Sequence, residues 1–323
     1  MKHSVVMEFD LKNSIEFLLK THVTSIDKVE SGGINDVFEI KINDGTRPSN
    51  CIYKGMRRKP LDQWEKGRFV REGHILDKLD HYSVPVPSSL HTSGHDIQET
   101  YFGSILMTKI DGMTLQKKWP ELAEQSKSQI ATRLAEQLKK IHSIPVDQLT
   151  FMMQPPVPLQ WYWMNFLQES IDHALETNKV TNYLQQSTLD KVKTCVQASF
   201  VLLNDSSLSL VHGDFCSDNI IVNQDDEVCG WIDWEWALLA DPLYELTDIK
   251  NDVFLGDEKA TSQFYQTYGL DLQNEEMKKK LALYKIIQEV RGVSVGYLYH
   301  NPDTDAFKRI ENEISNLLTS HFN

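Results

Sequence analysis

The sequence predicts an α+β protein in two lobes, a small N-terminal lobe with an antiparallel sheet and a larger, mostly helical C-terminal lobe. Three observations predict this class. Apolar and polar residues alternate around position 40, as in a strand, and from about residue 111 the apolar period becomes that of helices. The chain has 323 residues, which is enough for two lobes. We therefore expect lobes at residues 1–110 and 111–323.

The sheet of the first lobe is predicted to contain an antiparallel hairpin. Phe38, Ile40 and Ile42 alternate with polar residues, and the Asn-Asp-Gly of residues 43–45 indicates a turn. Residues 51–54 then resume an extended run. The two runs are therefore expected to pair.

The rest of the first lobe is predicted to be one helix and a further strand. The helix covers residues 69–79, and the strand covers the apolar run at residues 105–107. Strands, a helix and a strand in this order are typical of a small α+β lobe.

The second lobe is predicted to be mostly helical. One helical face carries Ile130, Leu134, Leu138 and Ile141, and Pro145 ends that helix. Further amphipathic helices are predicted over residues 161–174, 189–203, 261–268 and 277–299.

Composition limits the partners and the location. With 33 basic and 46 acidic side chains the formal net charge is −13, which disfavours nucleic acid and favours a cationic small molecule, although solubility alone also accounts for it. No apolar run approaches the roughly 20 residues that span a bilayer, so we expect no membrane and a cytoplasmic location. The cysteines lack metal-ligand spacing and are expected to be reduced thiols.

The most informative stretch is predicted to be a second hairpin that brings two metal ligands together. Residues 220–222 and 230–232 are apolar and flank a polar turn centred on Asp226. If they pair antiparallel, Asn219 and Asp233 lie opposite each other. An amide oxygen and a carboxylate suit Mg²⁺, which completes its shell with waters and substrate phosphates.

Asp214 precedes this hairpin by a few residues and adds a further carboxylate. Phosphoryl transfer needs an aligned acceptor hydroxyl, a carboxylate that accepts its proton, and a metal that neutralises phosphate charge. Asp214, Asn219 and Asp233 could supply these parts.

These motifs resemble the aminoglycoside phosphotransferase and choline kinase family, which has a protein-kinase-like fold. His212-Gly213-Asp214 with Asn219 matches the family's catalytic loop, and the Ile-Asp-Trp-Glu of residues 232–235 matches its metal motif. The Asp-Pro-Leu-Tyr-Glu-Leu of residues 241–246 is also similar, with Glu245 where aspartate is more usual.

The resemblance, which runs from about residue 25, implies the remaining site residues. It places ATP or GTP on a glycine-containing loop, on Lys54 beside the α- and β-phosphates, and on Glu72, which pairs with that lysine. The implied nucleotide loop contains Ser31, Gly32 and Gly33, and the implied hinge beside the base contains Met107, Lys109 and Ile110. The resemblance also implies that Asp214 is the catalytic base and that Asn219 and Asp233 hold Mg²⁺.

The acceptor is expected to be a small molecule with a hydroxyl group, in first place an aminoglycoside-type antibiotic. Choline, ethanolamine, homoserine, methylthioribose or a macrolide remain open, and the chain is expected to be a monomer or a homodimer. By family analogy, an amino-bearing substrate could be recognised by Asp218, Glu235, Trp236 and Glu245.

Two other classes compete with this prediction. A protein kinase would carry Asp-Phe-Gly and Ala-Pro-Glu, which this sequence lacks. A nucleotide-binding pseudokinase that serves as an interaction module would keep the fold, but retention of the predicted catalytic groups argues against it. His212 is expected to support the loop by hydrogen bonds rather than act as a base, and Trp161, Trp163, Trp234 and Trp236 are each expected in the core.

Overall fold

The computed structural model describes residues 2–29, 35–43, 50–60, 63–94, 101–152, 157–204, 206–299 and 304–322. Contacts divide the chain into two compact units. The first unit comprises Met1–Leu122 and Ser217–Ala237, and the second comprises Ala123–Cys216 and Leu238–Asn323. The lobe boundary drawn at residue 110 from the sequence stays a prediction.

The first 122 residues contain most of the strands that the structure describes. In chain order the elements are α1 (Lys2–Leu19), β1 (Val23–Val29), β2 (Asn35–Ile42), β3 (Asn50–Met56), α2 (Gln63–Lys66), α3 (Arg68–His81), β4 (Ser89–Ser93), β5 (Ser104–Thr108), β6 (Met113–Thr114) and α4 (Leu115–Lys118).

The remaining residues are mostly helical. In chain order the elements are α5 (Glu124–His142), α6 (Leu159–Thr181), α7 (Gln186–Ala198), α8 (Phe200–Asn204), β7 (Ser209–Val211), β8 (Ile220–Val222), β9 (Val228–Trp231), β10 (Leu238–Ala240), α9 (Ile249–Asp252), α10 (Glu258–Tyr268), α11 (Glu275–Tyr299) and α12 (Thr304–Phe322). Short 3-10 turns cover Ser217–Asn219, Trp234–Trp236 and Pro242–Leu246.

The first unit is built on an antiparallel sheet with the strand order β1-β2-β3-β5-β4. The predicted hairpin is confirmed, because Phe38 pairs with Tyr53 and Ile40 with Cys51. Since alternate side chains of a strand share a face, the apolar set of β2 is buried together in a core with α1. Most of the turn predicted at residues 43–45 lies outside the described residues.

Helix α3 packs on this sheet and confirms the helix predicted over residues 69–79. It buries Phe69, Ile75, Leu76 and Leu79 on its apolar face. A Cβ atom at Gly73 would lie 2.5 Å from Thr92 Cγ2, so this glycine permits the close approach of α3 to β4. The strand predicted at residues 105–107 is confirmed as part of β5.

The second predicted hairpin forms and belongs to the first unit, although its second strand is residues 228–231 rather than 230–232. Strand β8 pairs antiparallel with β9, with Ile220 opposite Trp231 and Ile221 opposite Gly230. Asn223 Oδ1 closes the turn by accepting from the N–H groups of residues 225 and 227, both at 2.9 Å. Asp226 has a φ of 61°, a left-handed conformation that aspartate tolerates in turns.

The second unit is helical, with the two-stranded sheet of β7 and β10. The apolar face predicted for α5 is confirmed, because its four predicted residues are at most 1% exposed. The single helix predicted over residues 189–203 is wrong, since α7 and α8 are separate. Ser199 interrupts it, and its N–H donates to the carbonyls of both Cys195 and Val196, which tightens the last turn.

Two further properties concern the chain as a whole. Within the described ranges, no helix has both the length and the apolar character needed to cross a membrane. All four cysteines are free thiols, as predicted.

Candidate active site

The first unit buries an ammonium group among carboxylates. Lys54 Nζ lies 2.7 Å from Asp233 Oδ1 and donates to Glu72 Oε1 and Oε2 at 3.2 and 3.3 Å. Lys54 is 7% exposed and Glu72 is fully buried. The structure therefore brings together three of the residues that the sequence predicted to share a nucleotide site.

Burial and neighbouring charges compete at this cluster. Burial opposes the charged form of Lys54, but the carboxylates of Asp233, Glu72 and Glu235 outweigh it and raise the pKa of Lys54. Burial, opposed by Lys54 and assisted by Asp233 and Glu235, raises the pKa of Glu72 to about 7. The ammonium is therefore charged at neutral pH, whereas Glu72 is close to its titration point.

Local structure fixes both partners. Lys54 lies in the interior of the sheet, because β3 pairs with β2 on one side and with β5 on the other. Glu72 lies on the buried face of α3, and its Oε1 also accepts from Trp234 N at 3.2 Å. This second contact ties the helix to the residue after Asp233.

The β8–β9 hairpin places Asn219 and Asp233 near its open end, but the prediction that they lie directly opposite each other is wrong by one residue. Ile220 pairs with Trp231, so Asn219 lies opposite Ile232, because an irregularity between Ile221 and Val222 shifts the register. Ile232 N donates to Asn219 O at 2.9 Å, which adds one backbone hydrogen bond beyond the paired residues of β8 and β9. Asn219 is 7% exposed, whereas the Asp233 side chain is 36% exposed. Asp233 has φ 66° and ψ 55°, a left-handed conformation that aspartate adopts more readily than most residues.

The donor chemistry of this pair fits Mg²⁺ better than a metal held by protein alone. Among the described residues, no group of three or more histidine, cysteine, aspartate or glutamate side chains could hold a metal ion. Mg²⁺ commonly takes one or two protein oxygens and completes its shell with waters and phosphates. An amide oxygen and an accessible carboxylate meet that requirement.

Glu235 belongs to the same buried cluster, with two residues that the sequence reasoning missed. Asn35 Nδ2 donates to both carboxylate oxygens of Glu235, and Arg68 Nε lies 3.5 Å from Glu235 Oε2. Glu235 is 6% exposed. The sequence offers one sign of Arg68: it precedes Glu72 by four residues on α3, the spacing of neighbouring opposite charges on a helix. Such pairs usually lie on the surface, so the spacing did not indicate a buried site.

The second unit contains the loop with the predicted catalytic base. Asp214 is exposed, and its N–H donates to His212 Nδ1 at 3.3 Å. His212 is fully buried and accepts this hydrogen bond, as expected of a residue that supports the loop. Gly213 has a φ of 78°, which favours glycine between these two residues.

Glu245 supports the same loop from the turn Pro242–Leu246. Its Oε2 accepts from His212 N at 2.7 Å, and its Oε1 pairs closely with His142 Nε2 at the end of α5. His142 Nδ1 lies 2.7 Å from the hydroxyl of Tyr268. A chain of hydrogen bonds therefore runs from the loop before Asp214 to the end of α10.

For the other predicted site residues, the positions in the structure do not test the predicted roles. The loop of Ser31, Gly32 and Gly33 lies outside the described residues. Met107 is 4% exposed in β5, and Lys109 N donates to Asn50 O at 3.1 Å, next to the half-buried Ile110. Asp218 is exposed and Trp236 is half-buried. Their assigned roles stay predictions.

The tryptophans divide between core and surface. Trp163 and Trp234 are both fully buried, so the expectation of a core position is confirmed for these two. It is wrong for Trp161, which is 56% exposed on α6. An apolar periodicity alone did not show which face of the helix this residue occupies.

Comparison with known proteins places the chain among phosphotransferases. The model of the phosphotransferase enzyme family matches residues 25–280. No curated protein matches the chain significantly in sequence.

Solved structures share its fold at low sequence identity. The ADP-bound aminoglycoside phosphotransferase APH(2'')-Ib is 18% identical, with 96% of each chain covered and a TM-score of 0.66. The GDP complex of wild-type aminoglycoside 2'-phosphotransferase-IIIa is 18% identical over 96% of this chain and 99% of that one, with a TM-score of 0.71. The gentamicin complex of APH(2")-IIa is 19% identical over 95% of each chain, with a TM-score of 0.70. The kinase-like α+β fold predicted from the sequence is thus confirmed, and the chain belongs to the phosphotransferase enzyme family.

Proposed function

We propose that this protein transfers the γ-phosphoryl group of ATP or GTP to a hydroxyl group of a small cationic acceptor of the aminoglycoside type. The observation that carries the proposal is the buried Lys54 ammonium, held by Glu72 and Asp233. A lysine fixed in this way is suited to the negative charge of a phosphate chain.

Lys54 and Glu72 are proposed to bind and orient the nucleotide. The raised pKa of Lys54 keeps its charge at neutral pH, and the contacts with Glu72 limit its rotamers. Solved relatives of the same fold are described as complexes with ADP and with GDP, which supports a nucleoside triphosphate as donor without choosing the base.

Asn219 and Asp233 are proposed to hold Mg²⁺. When bound, this ion supplies positive charge that neutralises the phosphate oxygens. Asp233 is the most exposed carboxylate around Lys54, and its place next to the hairpin end keeps its oxygens accessible. Asp233→Ala should therefore weaken Mg²⁺-dependent nucleotide binding, as measured by calorimetry.

Asp214 is proposed to be the catalytic base. Its carboxylate accepts the proton of the acceptor hydroxyl while the hydroxyl oxygen forms a bond to the γ-phosphorus and the bond to the nucleoside diphosphate breaks. The hydrogen bond from Asp214 N to His212, and the one from His212 N to Glu245, fix the loop that presents this carboxylate.

A cationic acceptor fits the formal net charge of the protein, which is −13. Desolvation, opposed by Lys285 and assisted by the charges of Asp248, Glu289 and Asp214, raises the pKa of Asp252 to about 6. Carboxylates of Asp248, Glu289 and Asp214 thus act on Asp252, with Lys285 paired to two of them, Asp248 and Glu289. Solved relatives are described as complexes with gentamicin, kanamycin and streptomycin, which supports an aminoglycoside before the smaller amines.

The test is release of ADP or GDP from ATP or GTP with Mg²⁺ across a panel of possible acceptors. The panel contains aminoglycosides, choline, ethanolamine, homoserine, methylthioribose and macrolides. Asp214→Asn keeps the shape of the side chain and should abolish release, whereas Asp225→Asn, in the exposed turn of the β8–β9 hairpin, should not change it. Silence across the panel with intact nucleotide binding would contradict the acceptor class.

A further inference from the structure

Lys54 has a third carboxylate neighbour that the proposed phosphotransfer does not use. Glu235 Oε2 lies 3.8 Å from Lys54 Nζ and 3.5 Å from Arg68 Nε. Glu235 is 6% exposed and Arg68 is fully buried. We propose that Glu235 and Arg68 are positioning residues that hold Lys54 in place for the nucleotide. This inference rests on the proposed role of Lys54.

Asn35 closes Glu235 and Arg68 into a ring. Its amide nitrogen donates to the two carboxylate oxygens of Glu235 at 3.2 and 2.9 Å, and its amide oxygen accepts from Arg68 Nη2 at 2.6 Å. Because an amide donates at one end and accepts at the other, it suits a place between a carboxylate and a guanidinium. The Glu235 carboxylate is therefore held in one orientation beside Lys54.

Exposure distinguishes the three carboxylates around the ammonium. The side chains of Glu72 and Glu235 are 0% and 6% exposed, whereas that of Asp233 is 36% exposed. Asp233 can therefore turn from Lys54 toward another cation while remaining in contact with water. The two glutamates would lose buried contacts if they moved.

The balance of charge indicates what Glu235 contributes. The cations Lys54 and Arg68 face three carboxylates, so the cluster has a surplus of negative charge. When Asp233 turns to another cation, Glu72 and Glu235 are the buried carboxylates that remain beside Lys54. Without Glu235, Glu72 is the one buried carboxylate left beside Lys54 among the residues of this cluster, so the ammonium is held less firmly.

Stability alone does not explain a charged residue at position 68. Among the described residues, Nε and Nη1 of the fully buried Arg68 make no hydrogen bond, although Nε forms an ion pair with Glu235 at 3.5 Å and the guanidinium lies over the rings of Phe69 and Trp236. A buried guanidinium with unmet donors is less stabilising than an apolar side chain of similar volume. The charge is therefore better explained by an electrostatic task, which is to fix Glu235 beside Lys54.

Two substitutions at position 235 separate charge from shape. Glu235→Gln keeps the shape and removes the charge, whereas Glu235→Asp keeps the charge and shortens the side chain. We expect Glu235→Gln to weaken ADP binding in EDTA by about tenfold and to raise the KM for the nucleotide similarly, with kcat changed by less than about threefold. Glu235→Asp should lie closer to the wild type. The opposite order, or no change in either variant, would overturn the proposal.

A double variant tests the pair independently of folding. Arg68→Met with Glu235→Gln removes both charges, and its free energy of unfolding should equal or exceed that of the wild type while ADP binding stays weak. Recovery of ADP affinity would overturn the proposal. The control is Asp36→Asn, which removes a buried carboxylate of β2 that pairs with Lys28 at 2.7 Å, and it should leave ADP affinity unchanged.

Calorimetry with ADP needs no acceptor, so the two proposals can fail separately. A wild-type protein that binds ADP and phosphorylates nothing in the panel contradicts the proposed acceptor, while the Glu235 series still decides the positioning role. Normal turnover with an unchanged ADP affinity in Glu235→Gln contradicts the positioning role alone.

Discussion

Two buried glutamates, one in each unit, are held in different ways beside the residues proposed to act in phosphotransfer. Glu235 lies between two cations, Lys54 and Arg68, at 3.8 and 3.5 Å. Glu245 instead accepts from a backbone N–H, that of His212, at 2.7 Å. The first carboxylate acts on a side-chain charge, and the second acts on the path of the main chain.

This difference indicates what each glutamate can control. Glu235 orients the positive charge of Lys54, so its substitution should affect the binding of a negatively charged ligand. A carboxylate that orients a loop should affect the geometry of the reacting groups and hence turnover. Substitutions should therefore change ADP affinity in the first unit and kcat in the second.

The largest effect is expected from Asp214→Ala in the second unit. Without a group that accepts the hydroxyl proton, kcat should fall by about a thousandfold. The affinity for the nucleotide should remain close to that of the wild type, since Lys54 and its partners are unchanged. Steady-state kinetics with calorimetry in parallel measures both, and near-normal turnover would remove Asp214 from its role.

Glu245→Ala should have the next largest effect. The substitution leaves the buried N–H of His212 and the ring of His142 without their acceptor, so unfolding should become easier by about 2–4 kcal/mol. Because the loop before Asp214 loses its support, kcat should fall about tenfold. Denaturant unfolding and kinetics measure these changes.

The matched control for Glu245→Ala is Glu245→Asp, which keeps the charge on a shorter side chain. It should recover part of both losses. A change in ADP affinity without a change in kcat would reverse the comparison between the two glutamates.

In the first unit, the titration of Glu72 should make kcat/KM for the nucleotide depend on pH. Its pKa is raised to about 7, so the carboxylate takes up a proton as the pH falls below that value. The neutral form attracts Lys54 less, and kcat/KM for the nucleotide should fall by up to about tenfold per pH unit on the acid side.

The control for the expected fall of kcat/KM at acid pH is Glu72→Gln, measured over the same pH range. Its kcat/KM should be low and should lack the step near pH 7. Survival of the step in that variant would assign it to another group.

Local sequence patterns predicted the parts of the fold that depend on near neighbours. The β2–β3 hairpin follows from alternation before a turn and an extended run after it, and the β8–β9 hairpin follows from two apolar runs that flank a polar turn. The apolar face of α5 follows from helical period. The resemblance to a family supplied Lys54 and Glu72, and the structure places them in contact.

Contacts between distant residues were not readable from the same patterns. Asn35 and Glu235 are separated by 200 positions, and nothing in either segment indicates that they meet. Residues 217–237 follow Asp214 closely in the sequence, yet they belong to the same unit as the first 122 residues. The interruption at Ser199 depends on a hydrogen-bond pattern rather than on apolar period.

The smallest effect is expected from Tyr268→Phe, at the far end of the network that supports the catalytic loop. Desolvation and the charges of Glu245 and Asp241 raise the pKa of Tyr268, so its hydroxyl stays protonated beside His142 Nδ1, at 2.7 Å. On the other side of the ring, His142 Nε2 pairs with Glu245 Oε1.

Phenylalanine at position 268 keeps the stacking on Phe264 and removes a single hydrogen bond. The free energy of unfolding should fall by about 1 kcal/mol, and kcat by less than about threefold. Denaturant unfolding and kinetics on the same samples check both values. A loss of kcat as large as that of Glu245→Ala would mean that the orientation of the His142 ring, rather than the Glu245 carboxylate, determines the position of the loop.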